Sequence, residues 1–332
     1  MNKTTCIKLG CMLVGVMAFS ALVAKADTFG SGANVFTIGF VNIGNPGNAD
    51  DDVGPVYTLD GGFYATPYGG VSYAYRMGIF EVSQDAITKA TASGLASVTA
   101  GAWIGSQPAA NMTWFEAAAF VNWLNTSTGH VAAYQLNAGA TALTLWSSAQ
   151  AWQAGGENPY RNKDAYYFLP SEDEWYKAAF HKNDGVTADY WDYATGSNTR
   201  PTNVNSGTAA GTVVASPPAG SPAAVNNAGG LSSYGTMGQD GNVWEWQESA
   251  LDGVNDSPSE NRTIRGGSFA LGEFNLRSSN HASNGPTNGT NTIGFRVASA
   301  EAGTGSVPEP SIAVLLIGSG LTLFLRRRRA FL

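Results

Sequence analysis

Apolar residues recur at helical spacing in two segments of the chain. The first segment is Thr113–Leu124, where Thr113 and Glu116 stand at the spacing of a capping box, in which each side chain binds the other residue's backbone N–H. The apolar face of this segment consists of Trp114, Ala117, Ala118, Val121 and Leu124. The pattern predicts an amphipathic helix with a defined N-terminus.

The second helical segment has the same features. Ser171 and Glu174 are spaced for another capping box. The apolar stripe that follows consists of Trp175, Ala178 and Ala179. His181 and Lys182 suit the last turn of this helix, where cations face the carbonyl groups, and Gly185 suits its end.

Strand patterns are shorter than the helical ones. Val35–Val41 is apolar, and Tyr73–Val82 alternates well enough to predict a strand. Ser83 follows that strand and is predicted to cap a short helix through Ala90.

Two long polar segments separate these elements. Gly44–Gly54 (GNPGNADDDVG) is an acidic loop in which Asp50–Asp52 form a candidate cation site, with a solvated loop as the simpler alternative. The segment 196–233 is rich in Gly, Ala, Ser, Thr, Asn and Pro and predicts a long surface loop that buries little. Short helices among many short strands favour a single α+β domain over residues 35–300.

Three dense blocks follow in the last third of that domain: GNVWEWQES (Gly241–Ser249), RTIRGGSFA (Arg262–Ala270) and TIGFRVAS (Thr292–Ser299). Tryptophans, paired glycines and single arginines recur there, and glycine lets backbones approach closely. The blocks predict an aromatic-cored unit with little regular structure. Trp244 and Trp246 are expected in the core, because a buried indole contributes a large apolar area.

The N-terminus has the pattern of a secretory signal peptide. A basic start precedes an apolar run, and Ala24 and Ala26 are small residues at the −3 and −1 positions that cleavage requires. Residues 1–26 are therefore predicted to be removed. Cys6 and Cys11 both lie in this segment, so the exported chain has no disulfide, thiolate nucleophile or cysteine-ligated metal site.

The C-terminus combines Val307–Pro310 (VPEP), an apolar run and the arginines Arg326–Arg329. In this order they resemble the PEP-CTERM sorting signal of Gram-negative bacteria, with a plain tail anchor as the alternative. The resemblance implies a linker at 301–310, a membrane helix with its arginine cluster at 311–332, and an exosortase-type enzyme that processes the tail. It further implies an exported, inner-membrane tail-anchored precursor that then joins the cell envelope or extracellular matrix, with exopolysaccharide or an envelope protein as its partner.

The net charge of the exported part argues against two classes of partner. The whole chain carries a formal net charge of −7, and loss of residues 1–26 and of the tail from Glu309 onward removes seven basic residues and one acidic residue, which leaves about −13. Such a charge disfavours nucleic acid and anionic membrane surfaces as partners.

Four motifs in fixed order carry a family resemblance. FLPSEDEWYKAA (Phe168–Ala179), GNVWEW, RGGSF and GFRVA, with NMTWFEAAAFVNWLN before them, resemble the formylglycine-generating enzyme, or sulfatase-modifying-factor, family. The opening GNPGNADD and YRMGIFEV also look like the secreted PEP-CTERM branch of that family. The resemblance covers about residues 35–300. It implies an α+β, C-type-lectin-like fold with short strands, few short helices and much irregular structure.

The catalytic residues of that family are not matched. Its oxidising members bind copper through two cysteines after the G-G-S motif, and these positions fall on Leu271 and Leu276, which have no lone pair for a metal. No copper is therefore expected. The remaining pocket candidates are Ser268, Glu273, Arg277, Asn280 and His281.

Histidine spacing gives no metal motif. Some relatives bind iron through histidines of an additional N-terminal helical domain, which nothing here matches. His130, His181 and His281 are far apart in the sequence, and separate surface histidines are the simplest interpretation.

The resemblance also implies a calcium site. In the family, the loop around G-N-x-W-E-W holds Ca²⁺, which maps onto Gly241, Val243 and Glu245, with Asp240 as a substitute where the family's further side-chain ligand falls on Gly238. The alternative is that Glu245 pairs with a buried arginine. Arg265 and Arg296 are the candidate arginines, and Arg296 and Arg277 are expected to form structural pairs rather than substrate clamps.

Two functions remain open. One is a non-catalytic binding or matrix module linked to exopolysaccharide or the cell envelope. The other is a formylglycine-generating-type or other metal-dependent oxidoreductase with a rebuilt site. The leucines at the copper positions favour the first, so the chain is expected not to be an enzyme.

Overall fold

The computed structural model describes residues 25–52, 56–58, 63–64, 67–96, 98–99 and 101–301. Most of the predicted signal peptide and the whole predicted tail helix, 311–332, lie outside these residues. Across the described ranges, no helix is both long and apolar enough to cross a bilayer.

Three short α-helices form where the capping signals stand: α1 (Gln84–Ala92), α2 (Trp114–Ser127) and α3 (Glu172–Phe180). The Ser83 hydroxyl accepts the Ala86 N–H, and both predicted capping boxes are complete. The predicted last turn of α3 was wrong, because the helix ends at Phe180. His181 is extended, with φ −62° and ψ 137°, and is completely buried.

The first sheet brings the two ends of the domain together. Its order is β1 (Lys25–Phe29), β2 (Phe36–Ile43), β5 (Tyr75–Gly78), β17 (Ala298–Ala300) and β10 (Tyr167–Phe168), and all neighbours are antiparallel. Strand β2 confirms the predicted apolar strand, and β5 is shorter than its alternating pattern. Helix α1 packs beside β2 and helix α2 beside β10.

The second sheet carries the C-terminal blocks. Its order is β16 (Ile293–Gly294), β13 (Trp244–Ala250), β14 (Arg262–Arg265), β15 (Asn280–Asn284), β3 (Val56–Thr58) and β4 (Phe63–Tyr64). The β13–β16 and β15–β3 pairs are parallel and the others antiparallel. Three two-stranded ribbons complete the described strands: β6 (Gln135–Leu136) with β7 (Leu143–Thr144), β8 (Ala151–Trp152) with β9 (Asn158–Asn162), and β11 (Thr202–Val204) with β12 (Thr212–Val214).

One hydrophobic core joins the helices to both sheets. Trp114 of α2 and Trp246 of β13 are completely buried in it, and Trp244 is buried beside them. The indole N–H groups of Trp114 and Trp246 donate to the carbonyls of Gln247 and Met112. The prediction that Trp244 and Trp246 belong to the core is confirmed.

The segment 196–233 is not the loosely packed loop that its composition predicts. Strand β12 is nearly completely buried at Val213 and Val214, and Ala215 after it is buried too. The physical reason is close backbone approach. A Cβ on Gly229, which has φ +114°, would lie 2.4 Å from the Thr212 carbonyl oxygen. Small residues therefore let this segment pack tightly rather than leaving it in solvent.

Candidate functional site

The first turn of α3 connects the sequence motifs through buried polar contacts. Glu172, Glu174 and Trp175 are all buried, and each contacts a side chain from a different part of the chain. Carboxylates suit this position because the N-terminus of a helix carries partial positive charge.

Glu174 belongs to a three-residue ionic network. The Arg161 guanidinium donates to both Glu174 oxygens at 2.8 and 2.7 Å and to both Glu248 oxygens at 2.7–3.0 Å. Burial acts to raise the pKa of Glu174, but the Arg161 charge lowers it below its usual value. Burial prevails at Glu248 and raises its pKa, because one arginine serves two carboxylates.

Trp175 belongs to the second network. Its indole N–H donates to Glu245 at 2.6 Å, and Arg296 donates to both oxygens of the same carboxylate, each at 2.6 Å. Glu81 lies nearby and accepts two hydrogen bonds from the Asn242 amide. Burial, followed by repulsion from Glu245, raises the pKa of Glu81 well above its usual value.

Glu172 forms the third network with Arg265 and His281. Arg265 Nε donates to a Glu172 oxygen at 2.6 Å, and His281 Nδ1 lies 2.9 Å from the same oxygen. Burial opposes ionisation of Glu172, but the Arg265 charge lowers its pKa overall. All three networks consist of buried side chains that pair with one another.

The predicted pocket residues do not share one set of contacts. Ser268 is completely buried, and its Oγ accepts the Ala270 N–H at 3.4 Å. Glu273 forms an ion pair with Arg200. Arg277 is exposed and donates to the Tyr193 hydroxyl at 3.2 Å.

Asn280 and His281 are buried neighbours on β15, and His281 faces Glu172 rather than Glu273. The interpretation of three surface histidines was wrong for two of them. His181 and His281 are completely buried, whereas His130 is exposed and stacks on Tyr166. His181 Nδ1 lies 3.0 Å from the Tyr234 hydroxyl. Among the described residues, no group of three or more His, Cys, Asp or Glu is arranged to hold a metal ion.

The two leucines that the sequence resemblance places at copper-ligand positions, Leu271 and Leu276, are packing residues. Leu276 is completely buried in an apolar cluster with Tyr193, Val213 and Ala215. Leu271 is partly buried and packs against the main core. The segment 196–233 thus supplies part of the apolar surface around this position, and the side chains there do not fit a copper ion.

The two side chains proposed for calcium, Glu245 and Asp240, have partners within the fold. Both oxygens of Glu245 are paired with Arg296, as the alternative interpretation of the sequence had it. One Asp240 oxygen accepts the Ala194 N–H at 2.7 Å, and burial raises the Asp240 pKa well above its usual value. Gly241 and Val243 lie on the loop between them. This arrangement fits Ca²⁺ poorly at Glu245, and calcium binding stays a prediction.

A cavity of about 370 Å³ lies at another place, which the sequence did not indicate. Its walls come from the segment before β5, the β8–β9 ribbon, the start of α3 and the turn after β13. Residues that line it include Tyr73, Trp152, Asn158, Ser171, Asp173 and Ser249. The sequence signal for this cavity was Trp152, shortly before Gly155–Gly156 in a two-stranded ribbon. This signal was not sufficient, because the other lining residues come from distant segments.

Asp173 is one of the titratable residues that line this cavity. One of its oxygens accepts the Gly69 N–H at 3.0 Å. Burial raises the pKa of Asp173 to about 7, with further contributions from the neighbouring charges of Glu172, Asp50 and Glu174. Its protonation therefore changes near neutral pH.

A sequence profile described as "Sulfatase-modifying factor enzyme 1-like domain" matches residues 73–301. The fold is similar to solved structures of Treponema denticola variable protein 1 (TM-score 0.55, 21% identity, 84% of this chain and 100% of that one) and of CarF (0.54, 19%, 79% and 98%). It is also similar to PvdO from Pseudomonas aeruginosa (0.50, 16%, 82% and 98%). No curated protein matches the chain.

Proposed function

We propose that the chain, which belongs to the sulfatase-modifying factor enzyme 1-like domain family, is a non-catalytic binding or matrix member of that family. The family match and the similar solved structures confirm the expected α+β, C-type-lectin-like fold. A shared fold does not fix a shared activity, so the proposal depends on the residues at the site.

The packing of Leu276 is the observation that carries the proposal. Leu276, which the sequence resemblance aligns with one family copper ligand, is an apolar side chain at 0% exposure, enclosed by Tyr193, Val213 and Ala215. Leu271 at the other position also packs against the core. Neither side chain can bind a metal or form a thiolate.

The motif residues support the same proposal. Charged side chains of the family motifs, such as Glu172, Glu245 and Arg296, are buried in ion pairs with other motif residues. Carboxylates held in such pairs are already engaged within the fold, which argues against a role for them as a catalytic base.

Export and attachment complete the proposal. The signal peptide and PEP-CTERM-like tail would place the domain in the cell envelope or extracellular matrix, after an exosortase-type enzyme processes the tail. With a net charge of about −13, the exported part would contact exopolysaccharide or an envelope protein rather than nucleic acid.

An oxidation assay tests the proposal. The purified protein, loaded with copper salt, is incubated aerobically with a cysteine-containing peptide while oxygen uptake and peptide mass are followed. The proposal predicts no turnover above a control that contains copper and peptide alone. Protein-dependent conversion of the peptide cysteine would overturn it in favour of a rebuilt oxidoreductase site.

A further inference from the structure

The cavity beside α3 combines aromatic walls with unused hydrogen-bonding groups. Tyr73 and Trp152 meet edge to face, with ring centroids 5.2 Å apart and planes at 75°. Both rings line the cavity and are only partly buried. Aromatic surface of this kind packs against apolar faces of a ligand.

The polar lining has unused hydrogen-bond donors and acceptors. The Ser171 and Ser249 hydroxyls accept backbone N–H groups of α3 at 3.2 and 2.9 Å, and neither donates a hydrogen bond to another described residue. Asp173 uses one oxygen for the Gly69 N–H. The two serines therefore offer donors, and the carboxylate offers an acceptor, within one cavity.

The positive charge in the cavity lining is already paired. Arg161 contributes to the lining, but Glu174 and Glu248 already engage its guanidinium. A ligand therefore needs no phosphate or carboxylate group to enter. The size of about 370 Å³ lies in the range of small-molecule sites.

Two exposed turns border the cavity. Ala154–Glu157 joins β8 to β9, and Gly253–Val254 follows β13, and both turns contribute lining residues. Val254 is 55% exposed, so this edge lies at the surface. A chain-like ligand can therefore extend out of the cavity past these turns.

We propose that this cavity binds a saccharide unit, with Trp152 and Tyr73 against the sugar ring and with Asp173, Ser171 and Ser249 on its hydroxyl groups. A sugar presents both an apolar ring face and donor–acceptor hydroxyls, which is the combination that the lining offers. The inference rests on the proposed binding function and names the ligand class and the residues.

Titration of the full-length protein with defined oligosaccharides tests this inference. The probes are cellotetraose, chitotetraose and isomaltotetraose, with choline as a cationic alternative, and binding is followed by saturation-transfer NMR and calorimetry. Trp152→Phe and Asp173→Asn are compared with Trp103→Phe, a matched change at a partly buried indole that does not line this cavity. Circular dichroism verifies the folding of each variant.

At least one oligosaccharide is expected to bind, with about tenfold weaker affinity in Trp152→Phe and Asp173→Asn and unchanged affinity in Trp103→Phe. Three results would overturn the inference: no oligosaccharide binding by the folded wild type, binding that the cavity variants leave unchanged, or binding of choline alone. None of these would restore the oxidoreductase alternative, which only metal-dependent turnover supports.

Discussion

The Arg296 guanidinium holds both carboxylate oxygens of Glu245 at 2.6 Å, across 51 residues of sequence and with both side chains fully buried. The pair joins the GNVWEW motif to the GFRVA motif. Trp175 adds the FLPSEDEW motif by donating to the same carboxylate. Motifs that mark the family in the sequence therefore meet as the polar core of the fold.

Removal of the arginine should strongly destabilise the protein. In Arg296→Met the Glu245 charge stays buried without its partner, which costs about 3–5 kcal/mol. Urea unfolding followed by tryptophan fluorescence measures the change. Arg277→Met is the matched control, because Arg277 is exposed, and it should change the free energy of unfolding by less than about 0.5 kcal/mol. Equal losses in the two variants would show that the buried pair is not a key contact.

Truncation of Leu276 tests how tightly this side chain is packed. Because Leu276 is fully enclosed, Leu276→Ala should lower the free energy of unfolding by about 2–5 kcal/mol. Leu231→Ala serves as the control, since that leucine is 51% exposed and should lose far less. A loss below about 1 kcal/mol at Leu276 would indicate a side chain that lines an open cleft instead.

Asp173 should make stability depend on pH. Its folded-state pKa of about 7 exceeds the usual 3.8, so the folded chain holds a proton that the unfolded chain has already lost in this window. The contribution of Asp173 to stability is therefore greatest below about pH 4 and falls as pH rises to about 7. Asp173→Asn should flatten this part of the profile, as measured by thermal melts from pH 4 to 8.

Exposed Asp189 provides the control for that profile. Asp189→Asn changes the same chemical group at the surface and should keep the wild-type slope. If Asp173→Asn also kept that slope, the Asp173 carboxyl would not be buried enough to hold its proton.

Local signals in the sequence predicted the local structure. Thr113, Ser171 and Ser83 cap helices as their spacing indicates, because a capping bond involves residues only a few positions apart. The pairing of Glu245 with an arginine was one of two alternatives, and the structure identifies Arg296 as the partner.

Long-range contacts could not be predicted in this way. The burial of His281 depends on Glu172, 109 residues away, and the cavity at Trp152 takes Asp173 and Ser249 from other segments. Neither separation leaves a periodic signal. The compact packing of β12 likewise depends on a close approach by Gly229, which composition alone does not reveal.

The metal content of the purified full-length protein, measured by mass spectrometry of the elements before and after copper loading, tests the central claim most directly. With Leu276 enclosed in an apolar cluster, the protein should retain no stoichiometric copper or iron after removal of unbound metal. Calcium is quantified in the same samples, and a thermal melt with chelator tests the Gly241–Glu245 loop as its site. One copper or iron ion per chain would contradict the non-catalytic assignment and would show that residues other than cysteine form a redox centre.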